Sequence, residues 1–280
     1  MVTAKQSQTL TPNPELYLLG HSYDEERRLK RQAEELRQES ARMFDRIGIE
    51  KGSRAIDLGC GPQGVLDLLS ERVGATGHVT GFERNRESLT TARRFVADRA
   101  LQNVTLLEGD ATATRLPEAS FDLVHERLVL VNVPHVEAVV REMVRLACPG
   151  GAVASHEADY LPHRCDPALR AWDRLFEVFR EYSAAGGIDL FVGRRTHRLF
   201  REAGLTDIEV IPLIHVYPKG HNRRTIFYQF LENVRDRILE QELIAESEFC
   251  ELMAELKEHL DKPDTLVISH LFFQVWGRKP

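Results

Sequence analysis

A glycine-rich turn with an acid at its start is the stretch of this chain best suited to bind a ligand. The segment 53–58 has the apolar character of a buried strand, and apolar residues recur at helical spacing over 65–73, so the glycines of 59–64 lie at a strand-to-helix turn. Open α/β sheets bind nucleotides at such turns, because glycine allows a positive φ and close approach of a ligand to the backbone. Pro62 suits the first turn of the following helix, where its missing N–H is not needed.

The acid that enters the turn, Asp57, constrains the charge of that ligand. Gly59, Gly61 and Gly64 satisfy the pattern G-x-G-x-x-G, which is typical of nicotinamide or flavin dinucleotide binding. A carboxylate at position 57 would repel a pyrophosphate, whereas it complements a ligand with positive charge. We therefore expect a cationic ligand and keep a dinucleotide as the alternative.

Two further acids follow the next two predicted strands. Glu83 ends the strand at 77–83 and lies about 20 positions beyond Gly61, the spacing at which nucleotide-binding α/β folds place a carboxylate on ribose hydroxyls. Asp110 follows the short strand at 104–107. Because parallel strands end at one edge of a sheet, we expect both acids beside the glycine turn. A solvated acid at a strand end and a turn-capping aspartate are the simpler alternatives.

A proline turn, a Phe-Asp pair and an apolar strand over 116–127 complete a pattern that resembles the class I S-adenosylmethionine-dependent methyltransferases, most clearly over about residues 50–160. The acid-x-Gly-x-Gly core of that family is matched, although Gln63 stands where many members have glycine and Gly64 follows it. The resemblance is to the small-molecule branch, which includes quinone-biosynthesis and natural-product enzymes. It implies the cofactor S-adenosyl-L-methionine, with S-adenosyl-L-homocysteine as its product. The cofactor residues that it implies are Tyr17, Asp57, Gly59, Gly61, Glu83, Arg84, Asp110, Ala111 and Glu126.

The resemblance also implies the fold class, which is an α/β protein with a Rossmann-like seven-stranded, mostly parallel sheet, an antiparallel last strand and a helical cap. We expect one domain with an N-terminal tail and lid helix at 1–47, a cofactor-binding core at 48–160, a helical roof at 161–206, and final strands at 207–280 with a helical insertion at about 221–262. Within these parts the periodicity predicts one charged helix over 24–47, a fifth strand at 152–155, a sixth at 207–217 and a last at 265–276.

The sequence indicates the residues that would bind the methyl acceptor less clearly than those that would bind the cofactor. His156, Glu157 and Asp159 follow the predicted fifth strand and are placed either to meet a substrate or to act as caps and surface groups. Histidine suits general-base catalysis near neutral pH, so His156 is the first candidate for a base. An aromatic-rich helical face over 169–182 either roofs the pocket or packs in the core, the usual role of such stripes. A roof of this kind would favour an acceptor with a sizeable apolar part.

Composition narrows the function class further. The chain has 280 residues and a net charge of −6, with basic residues interleaved among acids, which argues against nucleic acid and favours a small-molecule acceptor. Its four cysteines show neither a C-x-x-C pair nor metal-ligand spacing, so we expect a reduced, cytoplasmic protein without a bound metal. No apolar run approaches the roughly 20 residues of a membrane helix, and the N-terminus lacks the order of a signal peptide.

Together these observations predict an enzyme that transfers a methyl group from S-adenosylmethionine to an O, N or C atom of a small, partly apolar metabolite by in-line displacement. An NAD(P)-dependent oxidoreductase and a non-catalytic S-adenosylmethionine-binding protein are the two alternatives. The helix predicted over 24–47 carries a narrow row of apolar residues that also allows a homo-oligomer: Leu29, Ala33, Leu36, Met43 and Ile47.

Overall fold

A computed structural model describes the backbone of residues 23–280 and the side chains from residue 27 onward. The strands are β1 (Arg54–Leu58), β2 (His78–Glu83), β3 (Val104–Glu108), β4 (Phe121–Arg127), β5 (Ala147–Asp159), β6 (Arg164–Asp166), β7 (Thr206–Leu213), β8 (Val216–Tyr217), β9 (Leu266–Ile268) and β10 (Leu271–Arg278). The helices are α1 (Tyr23–Glu35), α2 (Arg37–Ile47), α3 (Leu66–Val73), α4 (Arg86–Asp98), α5 (Val136–Leu146), α6 (Arg170–Ala185), α7 (Val192–Glu202), α8 (Ile226–Glu240) and α9 (Glu246–Asp261). None of these helices has both the length and the apolar character that a membrane span requires.

Local signals set the ends of helices near the sheet edge. The Asn85 side chain accepts a hydrogen bond from the backbone N–H of Ser88 at 2.7 Å, which caps the first turn of α4. Gly48 follows α2 in the left-handed conformation and donates its N–H to the carbonyl of Phe44, which closes the last turn. Both ends are therefore determined by residues that are adjacent in sequence.

Seven strands form one sheet in the order β3-β2-β1-β4-β5-β10-β7. The pairs from β3 to β5 are parallel, whereas β10 runs antiparallel to both of its neighbours. The strand order reverses between β1 and β4, and open α/β sheets bind ligands beyond the carboxyl ends of the strands at such a switch point. The predicted α/β fold with an antiparallel last strand is confirmed.

Central strands send alternate side chains into hydrophobic cores on opposite faces of the sheet. Ile56 and Leu58 of β1 belong to the core shared with α5 to α9, whereas Ala55 belongs to the core shared with α2 and α3. This alternation follows from the two-residue period of a strand. Burial on both faces fixes the central strands in place, so the residues at their ends are held on a rigid frame.

Several predicted elements are divided differently in the structure. The helix expected over 24–47 is interrupted at Leu36, and the helix after the glycine turn begins at Leu66, so Pro62 lies in the turn itself. The strands expected at 207–217 and 265–276 each divide into a strand of the main sheet and a strand of a second sheet, in the order β6-β9-β8. Hydropathy does not show this division, because it depends on the pairing of β9 with β6 and β8, which are distant from it in sequence.

Candidate active site

A cavity opens beyond the carboxyl ends of the central strands, at the switch point of the sheet. Its walls come from the turn after β1, the ends of β2 and β3, the segment after β4, and helices α1 and α8. The predicted cofactor residues that line it are Gly59, Gly61, Glu83, Arg84, Asp110 and Ala111. Of the other predicted residues, Asp57 and Glu126 lie behind the residues that line the cavity, and Tyr17 lies outside the described part of the chain.

The glycine turn supplies exposed backbone to the cavity. Gly59 and Gly61 have φ angles of 66° and 56°, a conformation that L side chains rarely adopt. A Cβ added to Gly59 would overlap the side chain of Val129, whereas one added to Gly61 would meet nothing within 4 Å. Gly59 therefore lets the turn pack closely against the segment after β4, and Gly61 borders open space.

Asp57 supports the turn from behind rather than facing the cavity. Its Oδ1 lies 2.7 Å from Nδ1 of His125, and its Oδ2 accepts a hydrogen bond from the N–H of Val65 at 3.2 Å. The side chain is buried, and a Cβ added to Gly64 would overlap its carboxylate. The direct contact with a cationic ligand that the charge argument predicted for Asp57 is thus replaced by a structural role.

Glu83 lines the cavity and links the end of β2 to the glycine turn. Its Oε2 accepts a hydrogen bond from the N–H of Gly61 at 2.9 Å, and its Oε1 accepts one from the N–H of Asn85 at 2.7 Å. A carboxylate offers about four lone-pair sites, so two of them remain for hydroxyl donors of a ligand. Glu83 thus lines the cavity, and its contact with a nucleotide remains a prediction.

The wall beyond β3 combines an exposed acid with exposed backbone. Oδ1 of Asp110 accepts hydrogen bonds from the N–H and the hydroxyl of Thr112, at 2.8 and 2.7 Å. Asp110 therefore caps the turn that follows it, which is the role that the simpler alternative predicted. Asp110 and Ala111 also both line the cavity. Arg84 lines the cavity from the loop between β2 and α4.

Glu126 is buried beneath the segment that follows β4. Its Oε2 accepts a hydrogen bond from the N–H of Val129 at 3.0 Å, and its Oε1 contacts the hydroxyl of Ser155. Beside it, Glu157 of β5 accepts a hydrogen bond from the N–H of Leu130 at 2.6 Å. Burial and the neighbouring Glu126 raise the pKa of Glu157 well above its usual range. Glu126 therefore shapes the cavity wall from within instead of contacting a ligand.

The candidate base His156 lies inside the sheet, because β5 continues to Asp159 and pairs with strands on both sides. Its ring is fully buried against Phe272, and its Nδ1 lies 3.4 Å from Nε2 of Gln274. Asp159, expected after the strand, is likewise buried and forms an ion pair with Arg194. The structure places His156 away from the cavity, which corrects its assignment as general base.

Sequence reasoning missed several residues that line the cavity. His270, just before β10, stacks on Tyr160 with ring centroids 4.8 Å apart. Arg223 comes from the short 3-10 turn before α8, Phe230 from α8 itself, and Arg127 from the end of β4. Only Arg127 ends a predicted strand, so its position alone could have indicated it, whereas Tyr160 follows β5 only because that strand continues to Asp159. The others are brought here by segments that are distant in sequence.

The aromatic face of α6 packs in the core and does not cover the cavity. Trp172, Phe179 and Tyr182 are buried in the larger hydrophobic core, where α6 packs against α8 and α9. No residue of 161–206 belongs to the described wall of the cavity. Core packing, one of the two alternatives for this face, is confirmed, and α1 and α8 cover the cavity in place of the expected roof.

Known proteins of similar sequence are methyltransferases. A family model described as a methyltransferase domain matches residues 49–204. The demethylmenaquinone methyltransferase of Anoxybacillus flavithermus is 34% identical over 137 residues, which cover 49% of this chain and 55% of that protein. The one from Halalkalibacterium halodurans is 32% identical over 183 residues, which cover 60% of this chain and 73% of that protein. The chain spans about half the length of most of these curated relatives.

A solved structure with a similar fold is the Haemonchus contortus phosphoethanolamine N-methyltransferase 2, in complex with phosphomonomethylethanolamine and S-adenosylhomocysteine. Its TM-score is 0.56 at 22% identity, and the match covers 87% of this chain and 52% of that one. At this identity the likeness shows the fold alone. The family model, in contrast, matches more than half of the chain, over the same strands and turns that build the cavity. The chain therefore belongs to the methyltransferase domain family.

Proposed function

We propose that the protein transfers the methyl group of S-adenosylmethionine to an oxygen, nitrogen or carbon atom of a small, partly apolar metabolite. The observation that carries this proposal is the placement of Gly61, Glu83 and Asp110 around one cavity, at the switch point of a chain that belongs to a methyltransferase family. Family membership favours this cofactor over the dinucleotide that the literal glycine pattern allowed.

The residues of the cavity fit the parts of the cofactor. Open space beside the backbone of Gly61 admits the methionine part, and the remaining lone pairs of Glu83 can accept the ribose hydroxyls. Asp110 can accept a hydrogen bond from the adenine amino group, with the Ala111 backbone beside the ring. The two carboxylates also complement the positive charge of a sulfonium.

When bound, S-adenosylmethionine supplies an activated methyl group on a positively charged sulfur. The chain must then hold the acceptor atom in line with that methyl group and exclude water, and proximity and orientation supply most of the acceleration. Apolar side chains of Val131, Val133 and Phe230 line the cavity and favour water exclusion.

His270 replaces His156 as the candidate general base for a hydroxyl or phenol acceptor. It lines the cavity, and its Nδ1 has no hydrogen-bond partner within residues 23–280. Burial and the positive charge of Arg223 lower the pKa of His270 well below its usual range. The ring is therefore neutral near pH 7, which is the form that a general base requires.

The similar curated proteins support a metabolite acceptor with apolar character, since they are named as demethylmenaquinone methyltransferases. The cavity agrees, because aliphatic side chains and the ring of Phe230 form much of its wall opposite Glu83. We therefore propose an acceptor with an apolar ring or chain.

Calorimetric titration of the purified protein with S-adenosylhomocysteine tests the proposal, with NAD and NADP as parallel ligands. We expect saturable binding of S-adenosylhomocysteine alone. Selective binding of a dinucleotide would overturn the proposal and favour hydride transfer. Cofactor binding without formation of S-adenosylhomocysteine from S-adenosylmethionine, across a broad acceptor screen, would favour the non-catalytic alternative.

We also propose a reduced, cytoplasmic setting, which the four cysteines support because all of them are free thiols. The four-part division of the chain is a further proposal. The apolar residues of the N-terminal helix that the sequence offered for a homo-oligomer, Ala33, Leu36, Met43 and Ile47, are buried within the chain itself.

A further inference from the structure

We infer that the acceptor carries an anionic group, a carboxylate or a phosphate, that binds to Arg223 at the end of the cavity opposite the cofactor residues. This inference rests on the proposed methyl transfer and specifies its substrate class. The proposed function describes the acceptor only as partly apolar, and this inference adds that the acceptor carries a negative charge.

The guanidinium of Arg223 is buried and has unused donors. The residue is 5% exposed, and its Nε and Nη1 atoms have no hydrogen-bond partner in the described part of the chain. The carboxylate of Glu35 approaches Nε only to 3.7 Å, which is longer than a hydrogen bond. A buried charge without hydrogen-bonded partners is costly, so the arrangement favours a ligand that supplies an anion.

Packing directs this side chain to the acceptor end of the cavity. The guanidinium lies over the ring of Phe272, 5.4 Å from its centroid, and 5.9 Å from that of Tyr217. Phe272 belongs to β10, which lies three strands from β1, a distance of about 14 Å at ordinary strand spacing. The cofactor acids end β2 and follow β3, on the other side of β1, so Arg223 faces the space beyond the methyl donor.

A second arginine lines the cavity and adds positive charge near the glycine turn. Arg127 also lines the cavity, and its guanidinium donates to the hydroxyl of Ser40 at 3.0 Å and to the carbonyl of Gly64 at 3.2 Å. Both of those acceptors are neutral, and no carboxylate within residues 27–280 forms an ion pair with it. Its bond to Gly64 puts it beside the glycine turn, where it is better placed than Arg223 for the carboxylate of the cofactor.

Binding of matched small probes tests the inference. Protein saturated with S-adenosylhomocysteine would be titrated by calorimetry with benzoate, with phenyl phosphate and with benzamide, the neutral isostere of benzoate. We expect at least one of the two anions to bind at least tenfold more tightly than benzamide, and the stronger anion distinguishes carboxylate from phosphate. Equal affinities for anion and amide, or no anion binding at millimolar concentrations, would overturn the inference without affecting the cofactor proposal.

Variants then assign the preference to one residue. Arg223→Gln should abolish the preference for the anion, and Arg223→Lys, which keeps the charge in case the first variant does not fold, should retain part of it. The matched control is Arg235→Gln on α8, whose arginine pairs with Glu246 outside the cavity and makes the same change in net charge. An unchanged preference in Arg223→Gln would overturn the inference, as would complete loss of the preference in the control Arg235→Gln or a tenfold loss of S-adenosylhomocysteine affinity in Arg223→Gln, which would assign Arg223 to the cofactor. Failure of the wild-type protein to bind S-adenosylhomocysteine would instead overturn the proposed function.

Discussion

Two acids near the same glycine turn have different roles, because one is buried and the other borders the cavity. Asp57 is held between His125 and Val65, whereas Glu83 accepts two backbone hydrogen bonds and still faces open space. Residue type and spacing predict both positions equally well. Substitutions at the two positions should therefore separate ligand binding from folding.

Replacing Glu83 with Gln should weaken S-adenosylhomocysteine binding by about tenfold to a hundredfold, because the loss of a charge-assisted hydrogen bond to a ribose hydroxyl costs about 1.5–3 kcal/mol. Calorimetric titration measures the change. Glu108→Gln is the matched control, since that carboxylate ends β3 and pairs with Arg86 outside the cavity wall. Equal affinities for wild type and Glu83→Gln would mean that the ribose lies elsewhere.

Replacing Asp57 with Ala should reduce the free energy of unfolding by about 2–5 kcal/mol, because it leaves the buried partners His125 and Val65 without their acceptor. Urea unfolding measures this loss, and exposed Asp98→Ala, within about 0.5 kcal/mol of wild type, is the control. If Asp57→Ala kept its full stability but lost much of its affinity for the cofactor, Asp57 would have the ligand contact that the sequence predicted.

His270→Gln should lower kcat at least a hundredfold, as expected for the loss of a general base, while S-adenosylhomocysteine affinity is retained. Because the pKa of His270 is lowered, the acid limb of the wild-type kcat/KM profile should lie at a lower pH than the roughly 6.5 expected for a histidine of ordinary pKa. The assay is S-adenosylhomocysteine formation with an acceptor from the screen. Exposed His78→Gln is the control, and an unaffected kcat in His270→Gln would exclude the role.

At the level of elements, the segment that joins β4 to α5 forms one wall of the cavity through a buried hydrogen-bond network. Leu128 begins it with a positive φ of 58°, which is unusual for a leucine. The N–H groups of Val129, Leu130 and Val131 are bonded to the carboxylates of Glu126 and Glu157. Those carboxylates come from two neighbouring strands, so the sheet itself determines the shape of the segment.

Burial and the neighbouring Glu126 raise the pKa of Glu157 and so favour its neutral form. Glu157→Gln, a neutral isostere, should then change the free energy of unfolding by less than about 1 kcal/mol, whereas Glu157→Ala should cost about 2–4 kcal/mol because two buried N–H groups lose their acceptor. Urea unfolding at about pH 7.5 compares the two variants. Equal destabilisation by Gln and Ala would show that Glu157 is ionised.

Across the whole molecule, the residues just before β6 and just before β10 bring two buried histidines, His163 and His270, together. His163 packs edge-on against Trp172 and His270, and neither of its ring nitrogens has a hydrogen-bond partner within the described residues. Burial, and to a smaller extent the charge of Arg223, lowers the pKa of His163 to about 3. Protonation of this histidine is therefore linked to unfolding.

The sign of that linkage predicts acid sensitivity. Between pH 6.5 and about 3 the unfolded chain binds a proton at His163 that the folded chain does not, so stability falls as the pH falls. Between about pH 7.5 and 5, wild type should lose about 2 kcal/mol more than His163→Phe, at about 1.4 kcal/mol per pH unit below the unfolded pKa. Urea unfolding of both proteins at the two pH values gives the difference. Parallel pH dependence would contradict the burial of a neutral His163.

The sequence by itself determined the strand-turn-helix around the glycines and the positions of Glu83 and Asp110 at strand ends, and its resemblance to a known family implied the mostly parallel sheet. Hydrophobic period, glycine conformation and residue spacing are local properties, so they can be read without knowing the fold. These local properties predicted which segments form helices and strands better than they predicted what surrounds a given side chain.

Only the tertiary structure decided which residues face the cavity. Strand register puts His125 beside Asp57 and Gln274 beside His156, and thereby buries two residues that the sequence assigned to ligand or catalysis. The same long-range packing brings Arg223 and His270 to the cavity from segments on either side of α8 and α9. The physical reason is that exposure depends on pairing partners far along the chain, which local pattern does not contain.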